Sequence, residues 1–169
     1  MAKKKKNKLF SLSNLLCIAA LALGVVAVGM IAMATINIEG SVGSLKGTTG
    51  FTGIKVVFGS EKDLTLFSFM NLIPYILLVV GVLLMALKVH GKMNNGLINI
   101  VAVALFVGAG VMFVLAPNFT IFTDAFTVLL KAGIKTGLVK KTLAMGGLVS
   151  AICSFAAGAC SLVSMFVKK

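Results

Sequence analysis

Four stretches of this chain contain no charged side chain: residues 15–36, 71–87, 97–116 and 143–167. Such runs restrict the fold more than any other feature, because a bilayer interior offers the backbone no hydrogen-bonding solvent and admits only helices or closed barrels. At about 1.5 Å per residue the first run extends about 33 Å as a helix, enough for a hydrocarbon core of about 30 Å. Hydrophobic residues make up 59% of the chain, charged residues only 12%, and mean hydropathy is +1.11. These values lie outside the range of soluble domains. The expected fold class is all-α membrane, a four-transmembrane-helix bundle, with 1–14 as a basic cytoplasmic N-terminus and 15–169 as a single membrane domain. A cleaved signal peptide is the rival reading of the first run, since Ala32-Met33-Ala34 has the small-x-small form of a cleavage site. The run is longer than the usual apolar region of about 7 to 15 residues, so an uncleaved helix is expected.

All 16 basic residues are lysines, the acids are Glu39, Glu61, Asp63 and Asp124, and the formal net charge is +12. The lysines cluster at the ends of apolar runs, which suits a bilayer with anionic headgroups and does not suit nucleic acid. Lys3, Lys4, Lys5, Lys6, Lys168 and Lys169 are read as headgroup anchors. With both termini in the cytoplasm, Lys3, Lys4, Lys5, Lys6, Lys8, Lys88, Lys92, Lys168 and Lys169 are inside. Lys46, Lys55, Lys62, Lys131, Lys135, Lys140 and Lys141 are then outside, nine against seven. The dense N-terminal cluster favours this orientation in a multi-pass cell-membrane protein, although Lys140 and Lys141 run against the rule. The lack of Arg fits an AT-rich, bacterial genome.

Outer loops are expected over 37–70 and 118–142. In the first, Ile36, Ile38 and Val42, then Phe51 to Phe58, suggest two short strands flanking Lys46-Gly47-Thr48-Thr49-Gly50, a small extracellular β-hairpin. The second span is expected to open near Pro74 and to close at Lys88 and His90. The short connection Gly91 to Gly96 makes spans two and three an antiparallel pair, and span three is expected to stop at Pro117-Asn118. Between 118 and 144, Phe122, Phe126, Leu129, Leu130 and Ile134 share one helical face, and Asp124, Thr127, Lys131 and Lys135 the other. An interfacial amphipathic helix, with Thr123 at its N-cap and Gly133 or Gly137 near its end, and a packed loop both fit this pattern.

No residue type needed for catalysis is assembled. Intramembrane ionisable residues mark proton relays and ion paths, and the four uncharged runs have none. Asn99 is the most polar group well inside a run, and an interhelical hydrogen bond is its expected role, with pore lining as the other. His90 is the only histidine, so neither a metal cluster nor a Ser-His pair can form within the chain. Glu61 and Asp63 read as solvated charge, the glycines do not make a phosphate loop, and Asn118-Phe119-Thr120 is a chance-level glycosylation match. Cys17, Cys153 and Cys160 lie in apolar runs and read as small hydrophobes. No catalytic, cofactor or metal residue is therefore assigned. One pattern does stand out: Gly146, Ser150, Ser154 and Gly158 recur every four residues, beside a second row of Cys153, Ala157 and Ser161. Such a ridge lets another helix come close, within the chain or from another subunit. Ala20 with Gly24 and Ala104 with Gly108 are shorter versions.

Four spans, a sizeable first outer loop with strand character, a minimal inner turn and a shorter second outer loop resemble the layout of claudin-like tetraspan membrane proteins. That family carries a Trp-containing motif and a cysteine pair in its first outer loop, and neither is present here, so the resemblance implies an architecture and no residue roles. The expected function is that of a non-enzymatic membrane protein. It would act by homo-oligomerisation or as an accessory partner of another membrane protein, using the Gly146 to Ser161 ridge and the 37–70 loop. A small oligomeric channel lined by Asn99, Ser150, Ser154 or Ser161 is the alternative.

Overall fold

The computed structural model describes residues 12–42, 45–62, 64–90 and 96–167. Four helices are long and apolar enough to cross a membrane: α1 (Leu12–Gly29, continued by a 3-10 turn over Met30–Ala32), α3 (Phe69–Val89), α4 (Gly96–Phe119) and α6 (Met145–Phe166). Between α1 and α3 lie β1 (Ala34–Val42), β2 (Leu45–Thr52) and the short helix α2 (Gly53–Phe58). Between α4 and α6 lie α5 (Asp124–Lys135) and β3 (Val139–Leu143). The helices form a square in which α6 packs on α1 and α4, and α3 packs on the same two from the opposite corner. Connectivity gathers β1 to β3, α2 and α5 at one end, the loop side. The outer ends of α1 and α6 define the other, the terminal side.

The interior of the square is built from small residues set against large ones. The buried face of α1 is Ser13, Cys17, Ala20, Gly24 and Ala27, spaced alternately three and four apart. Phe106 of α4 is fully buried, and its ring fills the space left by two glycines: a Cβ on Gly24 or on Gly81 would meet it at 3.1 and 3.0 Å. Gly110 is crossed in the same way by Phe155, 2.9 Å from where a Cβ would stand. Tyr75 and Phe113 meet edge to face at 4.9 Å near the loop side.

A second core lies under the sheet, whose strand order is β2-β1-β3, both pairs antiparallel. Ile36 and Ile38 alternate with Asn37 and Glu39, so one face packs and the other faces out. The packed face closes over Val56, Ala116, Phe122 and Leu130. Phe122 meets Phe51 edge to face at 5.7 Å and Phe126 in a tilted contact at 5.3 Å. On the outward face, Glu39 lies opposite Lys140 and accepts a hydrogen bond from Thr142 Oγ1 at 2.8 Å. The two loops are also tied by backbone bonds, Leu66 N–H to Ile121 O and Thr123 N–H to Leu64 O, each 2.9 Å.

Several expectations need correction. The first helix does not reach Ile36: Ala34, Thr35 and Ile36 are strand, because Ile36 packs into the second core and an uncharged run alone cannot tell a buried strand from a helix. The hairpin is part of a three-stranded sheet, completed by residues of the second loop, and Leu143 belongs to β3 instead of the fourth span. Lys46 to Gly50 are inside β2, not a turn, and Phe51 to Phe58 divides into the end of β2 and helix α2. Gly53 opens α2 where its bare Cα is approached by Ile31 O, 2.8 Å from a would-be Cβ, and Gly59 closes it at φ 82°. Pro74 sits in the second turn of α3, fully buried, where its missing N–H leaves Met70 O without its helical donor. Helix α4 runs through Pro117 to Phe119, and hydroxyls of Thr120 and Ser68 cap the carbonyls of Ala116 and Phe119 at 2.9 and 2.7 Å.

Residues 124–135 are a helix, but the face drawn from the sequence splits. Phe126 and Leu130 pack under the sheet while Val128 and Leu129 are 67% and 69% exposed. Thr123 holds the N-cap position without a capping hydrogen bond. The helix ends at Gly137, φ 73°, where Leu138 N–H reaches Gly133 O and Gly137 N–H reaches Ile134 O, the Schellman pattern. The inner connection 91–95, Asp63 and the anchors Lys3, Lys4, Lys5, Lys6, Lys168 and Lys169 lie outside the described residues.

The start of α6 is the tightest helix-to-sheet approach: a Cβ on Gly146 would stand 2.7 Å from Ala34 O, and one on Gly147 2.7 Å from Thr35 O. Backbone cannot yield as a side-chain tip can, so Gly146→Ala is expected to cost about 1–3 kcal/mol and to lower the yield of monodisperse protein several-fold. Gly108→Ala, with only Leu77 Cδ1 at 3.7 Å, should leave yield unchanged. Equal behaviour of the two variants in size-exclusion chromatography would contradict this packing.

Candidate functional site

The ridge on α6 is turned into the protein. Gly146, Ser150, Ser154, Ala157, Gly158 and Ser161 are all buried. Ser150 Oγ donates to Ala27 O of α1 at 3.1 Å, and a Cβ on Gly158 would stand 3.1 Å from Val107 of α4. Ser154 Oγ turns back to Ser150 O at 2.6 Å, and Ser161 Oγ lies 3.3 Å from Met85 Sδ of α3. These residues face α1, α4 and, through Ser161, Met85 of the diagonal helix α3, so they are not on a surface that a second subunit could reach. Ala104 is exposed and Gly108 only half-buried, so the shorter motif on α4 is not at the centre of a helix contact.

Asn99 is also buried, and its partner is a charge. Lys88 Nζ donates to Asn99 Oδ1 at 2.6 Å and to Ser164 Oγ at 3.3 Å. Asn99 Nδ2 donates to the same hydroxyl at 3.1 Å. That hydroxyl donates onward to Ser161 O at 2.7 Å, and Ser164 O accepts from Ser13 Oγ at 3.0 Å. One node at the terminal side thus takes Ser13 from α1, Lys88 from α3, Asn99 from α4 and Ser164 from α6. The expectation that Lys88 merely closes its span is corrected: its ammonium turns inward, where the carbonyl ends of α3 also favour a cation. His90, exposed, stays beside the helix end with Nδ1 3.2 Å from Ala86 O. Lys88, Ser13 and Ser164 were not readable as a group, because which turn of each helix stands at the same depth depends on packing. The three-residue step from Ser161 to Ser164 was the one available signal.

On the loop side, β2 is an edge strand, and residues 46–50 along it are all exposed. The exposed Ile54 and Phe58 project from α2, one turn apart, and Leu66, Phe67, Phe69 and Met70 are exposed along the entry to α3. Thr65, Ser68 and Asn71, missed in the sequence, fasten this segment: Thr65 Oγ1 donates to Lys55 O at 3.0 Å and Asn71 Nδ2 to Thr120 Oγ1 at 3.1 Å. Among the described residues, no three or more His, Cys, Asp or Glu side chains converge to hold a metal ion.

If the terminal node acts as a unit, Asn99→Leu removes the acceptor of a half-buried ammonium at a cost of about 1–3 kcal/mol. In a Lys88→Met background the same change should cost less than half as much. A double-mutant cycle on thermal midpoints in one detergent reads this coupling, and strictly additive effects would contradict it. No protein-family model and no curated protein matches the chain, so the loop-side edge and the terminal node are themselves the ground for a functional reading.

Proposed function

We propose that this chain is a non-enzymatic integral membrane protein that acts by association, pairing its loop-side sheet with a second copy of itself or with another membrane protein. The observation that carries the reading is the edge of β2: eight residues long, exposed over 46–50, and among the described residues paired only with β1. An unpaired edge offers a row of backbone donors and acceptors to another strand, and proteins that do not use such an edge usually blunt it with charge or proline. Here Lys46 is the single charged residue of the strand and proline is absent from it.

Placement in the cell membrane with both termini in the cytoplasm is part of this proposal, supported by the nine-to-seven lysine distribution and by the even number of candidate spans. So is an interfacial position for α5, supported by the exposed Val128 and Leu129 beside Lys131 and Lys135. The likeness to claudin-like proteins remains one of layout. The channel reading draws no support from the geometry, because Asn99, Ser150, Ser154 and Ser161, the side chains that a ring lumen would need, are buried within the protomer.

A single cysteine in place of Thr48, with Cys17, Cys153 and Cys160 replaced by Ala, tests the edge. Treatment of intact membranes with a short bis-maleimide is expected to give a cross-linked dimer or a defined heteromeric band. A cysteine in place of Val111, exposed on the lipid-facing flank of α4, should give neither. Absence of any product from Thr48, together with a monomeric mass in mild detergent, would reject the association reading.

A further inference from the structure

A groove of about 280 Å³ opens between α5, the end of α4 and the packed face of the sheet. Ile121, Phe122, Leu130 and Ile134 give it an apolar floor, Lys131 and Lys141 stand along it, and among the described residues no acidic side chain lines it. It begins at Thr120 and Ile121, the residues that directly follow the last turn of α4, so in a bilayer it lies at the level where hydrocarbon gives way to headgroups. Ile121 lines the groove and is also exposed at the surface.

The two cations are unequal. Lys131 is exposed on α5. Lys141, on the packed face of β3 opposite Ile38, is half-buried, with its ammonium 4.9 Å from the centroid of the Phe122 ring. Burial pulls its pKa below the ordinary 10.5, and an aromatic face is weak compensation for an ammonium that has no carboxylate partner among the described residues. An anion placed between the two lysines would supply that compensation. A freely soluble anion would make no use of the apolar floor, and an uncharged lipid would make no use of the lysines.

We propose that this groove binds one anionic glycerophospholipid of the loop-side leaflet, its phosphate held between Lys131 and Lys141 and the first part of one acyl chain laid along Ile121, Leu130 and Ile134. The volume lies just below the range of about 300–1,000 Å³ that encloses a drug-sized ligand. The site therefore grips the headgroup and the head of one chain, and leaves the remainder in the bilayer. This binding is independent of the β2 edge and does not require self-association.

The test is native mass spectrometry of the full chain, purified in a neutral detergent and titrated with phosphatidylglycerol or phosphatidylcholine of identical chains. The wild type is expected to retain phosphatidylglycerol in preference to phosphatidylcholine. Neutralising one lysine should weaken phosphatidylglycerol retention about fivefold, and Lys131→Gln with Lys141→Gln should remove most of the preference while leaving phosphatidylcholine unchanged. The matched control is Lys46→Gln with Lys140→Gln, the same charge change on the same side of the bundle but outside the groove. Equal retention of the two lipids by the wild type, or an equal loss in the control, would overturn the proposal, the latter because it would signify nonspecific charge attraction. If glycerophosphoglycerol, which lacks acyl chains, competed as strongly as the lipid, the apolar floor would have no part and the proposal would fail. Should the double variant not fold, Lys131→Gln alone, at an exposed helix position, must still produce its fivefold loss.

Discussion

Helices in a bilayer gain little from burying apolar side chains against one another, since lipid is as apolar as leucine, and the bundle must be held by close packing and interhelical hydrogen bonds. That constraint explains the composition of the contact surfaces. The inward face of α1 is made of Ser, Cys, Ala and Gly, and that of α6 of Gly, Ser and Ala. Phe106 is the large residue to which two glycines from different helices are fitted. Removal of the small residues would separate the helices by the width of a side chain, and both ends of the bundle would lose their geometry.

The two ends use that rigidity differently. At the terminal side, Lys88, Asn99, Ser164 and Ser13 form a polar node to which each of the four long apolar helices contributes one residue. At the loop side, Gly146 and Gly147 bring α6 against the carbonyls of Ala34 and Thr35, which fixes β1 directly over the bundle. Strand β1 is thus central in both senses. It pairs with β2 from its own loop and with β3 from the other, and its packed face covers Phe122 and Leu130. Helix α5 is attached under this sheet through Phe126 and Leu130, and Gly133 comes close to Val139 of β3, while Lys131 and Ile134 line the groove that opens beside Lys141.

Much of the helical architecture was legible in the sequence, since absence of charge over a membrane thickness has few other physical meanings. The boundaries were less so. Ala34 to Ile36 continues an uncharged run and yet is strand, because apolarity reports burial without saying whether lipid or protein does the covering. Pro117 reads locally as a stop, but hydroxyls of Thr120 and Ser68 from two loops sustain the end of α4, a long-range arrangement invisible to a local signal. The small-residue ridge on α6 was evident from spacing alone, whereas its direction was not: periodicity identifies a face but not what the face meets. Asn99 could be singled out as the polar residue in its span, while its pairing with Lys88 required the relative depth of two helices.

The claim on which all of this rests is that β1 to β3, α2 and α5 lie on one side of a membrane and the terminal node on the other. Two single-cysteine variants free of native thiols, Glu61→Cys on the loop side and His90→Cys beside the node, both at exposed positions, measure it directly. In sealed vesicles of one orientation, a membrane-impermeant maleimide should label one of the two at once and the other only after permeabilisation. Immediate labelling of both from the same side would contradict the four-span arrangement.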